Sequence, residues 1–484
     1  MIINLQELTA LLPFLILIVS IVIIILSISY NRNHFLISVL SVCALISTFF
    51  SLYFLIAVVP IDVTMLFHIT NYSILYISMI LISSFSACIF SYSWLSNYPF
   101  NKEEFYLMLL LSTLGSICLI VSSHMSSIFI SIELMSLPIF GLIGYSNYFN
   151  YSLEASFKYL ILSAISSAFL LLGIAWVYAI SGNLSIESIS YVLSLASSNE
   201  KIVLLFGMIM ILISFFFKLS LVPFHLWTSD IYQGTPSAIL SFFSFSGKVA
   251  MFSVLLNIFS CHAIMNNETL YLILSLISVF SILCGNLMAI LQTNIKRFFG
   301  YSSISQLGYL LIITLVLKNN YSFSLETVFI YLFNYLLINI AYFGVIHLFS
   351  HSSHDIDCIN SYRGLFWSKP ILSGIMTIVL LSLAGIPITL GFIGKFYILS
   401  IIINNHLWFV GLSFIFGTIL GFYGYFRLII NLYLKPLDSL LSNKVISNID
   451  VDWPSKILIL FSGIMLLILG LFPNPLIYLI NLTK

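Results

Sequence analysis

Hydrophobic positions along this chain come in long unbroken runs, without the period-2 or period-3.6 alternation of an element with one wet face. A helix rising 1.5 Å per residue needs about 20 apolar residues to cross roughly 30 Å of hydrocarbon. Fourteen such stretches can be read: 8–30, 35–59, 73–94, 105–121, 126–147, 155–181, 202–232, 238–260, 268–291, 298–317, 323–350, 369–403, 406–434 and 456–480. The pattern predicts an all-α polytopic membrane protein, with residues 1–484 forming a single integral membrane domain. The seventh and twelfth runs are too long for one straight helix. Each holds a proline near its middle, Pro223 and Pro387, and each is expected to be a broken helix. Only the loops 182–201, 351–368 and 435–455 exceed about 15 residues, and they are expected to be polar connections without a domain of their own.

Composition agrees with that pattern. Of 484 residues, 61% are hydrophobic and 7% charged, whereas a water-soluble domain carries about 25% charge. A net charge of +1 gives no basic face for nucleic acid. Apolar content throughout also excludes a peripheral protein held by one amphipathic segment. The six cysteines, Cys43, Cys88, Cys118, Cys261, Cys284 and Cys358, are scattered with no C-x-x-C, so neither an iron-sulfur cluster nor a structural zinc is expected. Met1 to Ala10 lacks a basic start and a cleavage site, and reads as the beginning of a retained first span.

Loop charges set the expected orientation. Loops after odd-numbered runs hold Arg32, Lys102, Lys296, Arg297, Arg363, Lys369, Lys435, Lys444 and Lys456, against Lys201, Lys318 and Lys484 on the other side. The odd loops are therefore expected in the cytoplasm and both termini outside. The remaining basic residues, Lys158, Lys218, Lys248, Lys395 and Arg427, fall inside apolar runs. The two expected breaks lie five runs apart, which suggests a five-helix unit used twice. An odd-numbered unit repeated in tandem must be inverted in the membrane, as in many transporters; the units would be 104–260 and 268–434.

A charge at bilayer depth costs at least about 2.5–3.5 kcal/mol, so the buried lysines and Glu133 point to an ion or proton path. Glu133, in Ser131-Ile132-Glu133-Leu134, reads as a path carboxylate or a packing counter-ion. Lys218 lies five residues before Pro223, where freed carbonyls can solvate an ammonium. Lys248 is about ten residues into the eighth run. Lys395 follows the second break and could snorkel outward. Lys158 reads either as a further proton-transfer lysine or, following Glu154 by four residues, as half of an ordinary helical ion pair, and Arg427 reads as a packing or snorkelling charge. His225, just past Pro223, is either a relay or a hydrogen-bonded histidine. His347, His351 and His354 share a helical spacing but have no carboxylate cage for a metal. Phe and Tyr read as lipid-facing and packing surface.

Burial and a nearby carboxylate act on a lysine in opposite senses. Moving one charge against 100 mV costs about 2.3 kcal/mol and one pKa unit is about 1.36 kcal/mol, so each 100 mV asks for about 1.7 units and a working gradient approaching about 200 mV for a swing of roughly three.

Three stretches go further. KLSLVPFHLWTSDIYQG (Lys218 to Gly234), QTNIKRFFGYSSISQLGY (Gln292 to Tyr309) and the segment Tyr362 to Tyr397, with YRGLFW and LAGIPITLGFIGKFY, closely resemble the antiporter-like, proton-translocating membrane subunits of bacterial respiratory complex I, the NADH:quinone oxidoreductase. The resemblance covers essentially the whole chain. It implies fourteen helices, inverted repeats of helices four to eight and nine to thirteen, and breaks in helices seven and twelve. It also implies a Glu133–Lys218 coupling pair, Lys248 as central carrier and Lys395 as the carrier nearest the periplasm. Further implications are residence in the bacterial inner membrane, sister antiporter-like subunits as partners, and no cofactor in this chain. NADH, FMN, iron-sulfur clusters and quinone would belong to partner subunits. One departure stands out: Gln306 occupies a position where close relatives often have histidine. Subunits of multi-component cation/proton antiporters look similar, and form the second reading.

Overall fold

The computed structural model describes residues 4–96, 98–146, 150–317, 321–350, 357–436 and 453–482. Eleven described helices are long and apolar enough to cross a membrane. The other three expected spans coincide with helices that are short, polar or divided. Glu104–Ile120 has 17 residues, and Ile295–Thr314 starts with Lys296 and Arg297 and continues through Ser302, Ser303, Ser305 and Gln306. The twelfth run is split into Pro370–Ala384 and Leu390–Asn404. Length and apolarity alone therefore count eleven spans.

Other departures are local. Segment 182–201 is not a plain connection but holds the helix Ile186–Leu195, which buries Ile186, Ile189 and Leu193 along one face. Between the first helices Leu5–Tyr30 and His34–Ile56 and the third, Asn71–Ser96, a hairpin pairs Ile61–Val63 with Phe67–Ile69. Three-residue strands are too short to show a period in sequence. The eighth run bends between Ser237–Phe243 and Ser246–Phe259, and the last divides at Pro473 into Trp453–Leu471 and Asn474–Leu482.

Helix starts follow ordinary capping chemistry. The Asn33 side chain accepts from the Phe35 and Leu36 amides, the Asn294 side chain accepts from those of Lys296 and Arg297, and Ser197 with Glu200 forms a capping box. Serines survive inside the bilayer by returning their hydroxyls to the carbonyl one turn back. Ser83 to Ile80, Ser84 to Leu81 and Ser91 to Cys88 do so within one helix.

Small residues bring the helices together. A Cβ on Gly173 of the helix Asn150–Ser181 would lie 2.7 Å from the Gly207 carbonyl oxygen of Ser198–Lys218, so only glycine allows that crossing. The surface is covered with exposed Leu, Ile, Phe and Val side chains, as lipid contact requires. Ser237–Phe259 and Tyr321–Phe349 are instead 94% buried over their apolar windows. These two central helices frame the polar groups described next.

Candidate functional site

Both expected breaks are present and use the same backbone device. In the first, Ser220 adopts φ 57°, its N–H bonds to the Phe217 carbonyl, and the Leu221 N–H bonds to that of Phe216. In the second, Gly385 adopts φ 80°, its N–H bonds to the Ser382 carbonyl, and the Ile386 N–H bonds to that of Leu381. Each is a Schellman ending: one left-handed residue turns the chain and satisfies two terminal carbonyls. The first break is tethered sideways by the Val222 N–H, which donates to Ser281 Oγ at 3.1 Å.

A lysine sits at each break. Lys218 is the last residue before the first, 6% exposed, and donates to Ser163 Oγ at 2.6 Å. Lys395 lies ten residues beyond Gly385 and reaches back to the Leu383 and Ala384 carbonyls at 2.7 and 3.0 Å. Its ammonium thus caps the negative end of the half-helix Pro370–Ala384. Lys395 is 9% exposed and held inward, which corrects the snorkelling reading.

Lys248, 4% exposed in the central helix, donates to Ser303 Oγ at 2.7 Å and Tyr232 Oη at 3.1 Å. Tyr335 lies beside Tyr232 and Ser303. All three ammoniums share one environment. Their partners are neutral oxygens, and each has a tyrosine ring nearby: Lys218 5.6 Å from the Tyr159 centroid, Lys395 5.5 Å from that of Tyr309, and Lys248 5.5 Å from that of Tyr232, on the hydroxyl side of the ring. Tyrosine is therefore part of the site here, not only packing surface.

One helix connects two of these lysines. Ile295–Thr314 carries Ser303, bonded to Lys248; Gln306, whose Nε2 donates to Tyr425 Oη at 3.2 Å and whose Oε1 accepts from Tyr331 Oη; and Tyr309, beneath Lys395 and bonded to Asn286 Nδ2 at 3.2 Å. Their three-residue spacing makes each a neighbour of the next. Other buried polar pairs adjoin this row: Ser244 donates to Asn339 at 2.5 Å and Ser382 to Asn334 at 2.8 Å.

Glu133 is not in direct contact with Lys218: among the described residues no ion pair joins them, although Glu133 is near enough to act on Lys218 electrostatically. Its Oε2 accepts from Ser136 Oγ at 3.4 Å, and Oε1 has no hydrogen-bond partner. Ile130 and Leu137, one turn to either side, are 63% and 62% exposed, whereas Glu133 is half-buried with Oε1 shielded, so it lies at the margin between the apolar face of Met125–Ile143 and the interior. Lys395 also borders an open cavity of about 360 Å3, with Phe392, Phe396, Thr418 and Phe422.

His225 is buried with neither ring nitrogen hydrogen-bonded, edge-on to Tyr301 at 6.4 Å between centroids. Lys158 does form the expected pair with Glu154, at 2.6 Å, but also one with Asp230 at 2.7 Å, and Asp230 in turn pairs with Arg297. This four-charge cluster ties together three helices. Asp230, inside the seventh run, was the available signal for it. Lys296, read above as a loop charge, is instead buried in a helix and paired with Asp357 at 3.0 Å. Arg427 donates to the Ile290 carbonyl at 2.6 Å. His347 bonds Ser93 at 3.0 Å, while His351 and His354 lie outside the described residues. Among the described residues, no three His, Cys, Asp or Glu side chains gather into a metal-binding group.

Residues 122–421 match the family described as NADH:quinone oxidoreductase/Mrp antiporter, transmembrane. A relative from Buchnera aphidicola subsp. Schizaphis graminum, called NADH-quinone oxidoreductase subunit N, is 67% identical over 483 residues, 99% of each chain. Another of that name, from Buchnera aphidicola subsp. Acyrthosiphon pisum, is 59% identical over 488 residues and the full length of both. Among solved structures, respiratory complex I from Thermus thermophilus with bound aureothin contains a chain 25% identical, with TM-score 0.80 over 96% of this chain and 97% of that one. The archaeal membrane-bound sulfane sulfur reductase (20% identical, TM-score 0.84, covering 98% and 96%) and the Mrp complex from Dietzia (16%, 0.84, 98% and 97%) share the fold.

Proposed function

This chain belongs to the subunit N family of NADH-quinone oxidoreductases, within the wider NADH:quinone oxidoreductase/Mrp antiporter membrane family, and we propose that its buried lysines are the path by which it moves protons. It is a proton-translocating membrane subunit of that enzyme. The observation that carries the path is the common setting of Lys218, Lys248 and Lys395. Each is buried, bonded to neutral oxygens and set beside a tyrosine ring, and among the described residues none forms a salt bridge with a carboxylate.

A buried ammonium without a salt bridge is one whose charge a modest change nearby can decide. In this reading Glu133 biases Lys218, Lys248 is the central carrier, and Ser303, Gln306 and Tyr309 link it to Lys395. Gln306 can hold the hydrogen-bond chain through its amide, whereas a titrating step there would need another group. His225 is a side carrier next to the first break, and Lys158 serves as a structural clamp.

The exposed apolar face of Ile130 and Leu137 beside Glu133, and the open cavity at Lys395, fit contacts with neighbouring membrane subunits, sister antiporter-like chains among them. NADH, FMN, iron-sulfur clusters and quinone would reside in partner subunits, so redox energy reaches this chain from outside. The two Schellman breaks support inverted units 104–260 and 268–434, and the loop charges support an inner-membrane placement with both termini periplasmic. The cation/proton antiporter reading shares the wider family and the fold, but the full-length relatives at 59–67% identity are oxidoreductase subunits.

The test is the assembled complex in proteoliposomes, with NADH oxidation and lumen pH followed together. Lys218→Ala, Lys248→Ala and Glu133→Ala should each lower protons moved per NADH. An unchanged ratio in fully assembled enzyme would refute the path.

A further inference from the structure

Away from the lysine row, two cations share one cavity. At the starts of Pro370–Ala384 and Trp453–Leu471, a space of about 250 Å3 is lined by Lys369, Lys456, Leu348, Pro370, Ile371 and Leu372. The helices are held close, since a Cβ on Gly463 would stand 3.0 Å from Ile375. That crossing, roughly two turns in, brings both first turns to the cavity. Among the described residues no carboxylate pairs with either ammonium. Burial, and then the charge of Lys456, hold Lys369 below the ordinary lysine value, so the two repel one another across the cavity.

Two like charges lining one space, with no carboxylate partner among the described residues, call for an anion between them. The walls indicate which kind. Apart from the two lysines, the lining is wholly apolar. Ile371 and Ile457 beside it are 65% and 61% exposed, and Phe461 continues the apolar surface one turn further along. Trp367 and Trp453, 62% and 74% exposed at the same end, have the amphipathic character of residues at headgroup depth. Lys369 lies 6.0 Å from the Phe349 ring and Lys456 5.2 Å from that of Trp453, so aromatic faces flank the cations.

We propose that this cavity binds a phosphate ester, the headgroup of an anionic phospholipid, with Lys369 and Lys456 on the phosphate and the acyl chains laid along Ile371, Ile457 and Phe461. A zwitterionic lipid brings its own cation into the space and gains less from the pair. Free inorganic phosphate has the same anionic chemistry but leaves the apolar flank unused. The inference is independent of the proton path, because neither lysine belongs to it.

The test uses the intact complex in nanodiscs of phosphatidylcholine doped with photoactivatable phosphatidylglycerol or photoactivatable phosphatidylcholine, with crosslinks mapped to the helices at 370–384 and 453–471. Phosphatidylglycerol should label the site in preference, and Lys369→Gln with Lys456→Gln should reduce that label by about fivefold for each charge removed. Lys369→Arg with Lys456→Arg should retain it, which separates lost charge from lost packing. Inorganic phosphate, followed by phosphorus NMR in undoped discs, distinguishes the source. Lysine-dependent phosphate binding without a lipid preference would overturn the lipid assignment. Equal labelling by both lipids, unaffected by the lysines, would overturn the site itself.

Discussion

Lys248 and Ser303 are 55 residues apart in sequence and 2.7 Å apart in space, and their contact joins the central helix to the helix that runs on toward Lys395. Ser303 also returns its hydroxyl to the Gly300 carbonyl at 2.6 Å, so its oxygen lone pairs remain free to accept from the ammonium. Ser303→Ala removes that acceptor and little volume. Hydrogen bonds to charged groups contribute about 1.5–3 kcal/mol, so proton transfer through Lys248 should slow roughly tenfold or more. Proton uptake in proteoliposomes should fall while assembly, judged by native electrophoresis, is preserved. Unchanged pumping would remove Ser303 from the path.

Opposite exchanges at the two breaks should have opposite effects. Gly385→Ala places a methyl 2.6 Å from Lys395 Cδ and forces alanine to φ 80°. It should destabilise the protein by about 1–3 kcal/mol and displace the Lys395 ammonium from its carbonyls. Ser220→Gly removes a left-handed serine and should be neutral or stabilising by up to about 1 kcal/mol. Thermal melting of the purified complex reads both. A drop in melting temperature with Ser220→Gly would contradict the Schellman account.

Asp230 accepts from Lys158 and Arg297 at once, but the side chains are 31%, 40% and 35% exposed. Water screens such pairs, and Arg297→Gln should cost less than about 1 kcal/mol. Protons moved per NADH should stay near the wild-type value in Arg297→Gln and Lys158→Gln. A collapse of pumping in either would transfer that cluster from clamp to path.

His124 caps Met125–Ile143, its Nδ1 accepting from the Ser126 amide at 3.3 Å and lying 2.6 Å from Ser126 Oγ. Burial lowers its pKa from the ordinary histidine value, so the unfolded segment binds the extra proton more readily than the folded one. The cap's contribution is present above about pH 6.5, the free-histidine value, and is lost as pH falls through the lower folded value. Hydrogen exchange at the Ser126 amide, corrected for intrinsic rate, should quicken on acidification, and His124→Asn should abolish the pH dependence.

Much of this was legible in the chain because lipid enforces simple rules. Apolar runs marked the spans, Pro223 and Pro387 marked the breaks, and a charge inside a run marked Lys218, Lys248 and Lys395. What escaped was chemistry that neutral side chains supply. Ser163, Ser303, Tyr232 and Tyr309 look like packing residues in sequence, and only the fold brings their oxygens or ring faces to the ammoniums. Lys296 was misplaced for a related reason: Asp357, far along the chain, compensates a charge that would otherwise stay in water.

At three residues per step on a 3.6-residue helix, Ser303, Gln306 and Tyr309 do not form a straight column. Each is rotated by roughly 60° from the one before, so the series winds about 120° around its axis while rising about 9 Å. On the proposed path the helix would work as a spiral stair, taking in cargo from one quarter of the molecule and delivering it to another. Inserting a single residue between Ser303 and Gln306 would swing the upper treads by about 100°, leaving every side chain intact and the staircase leading nowhere.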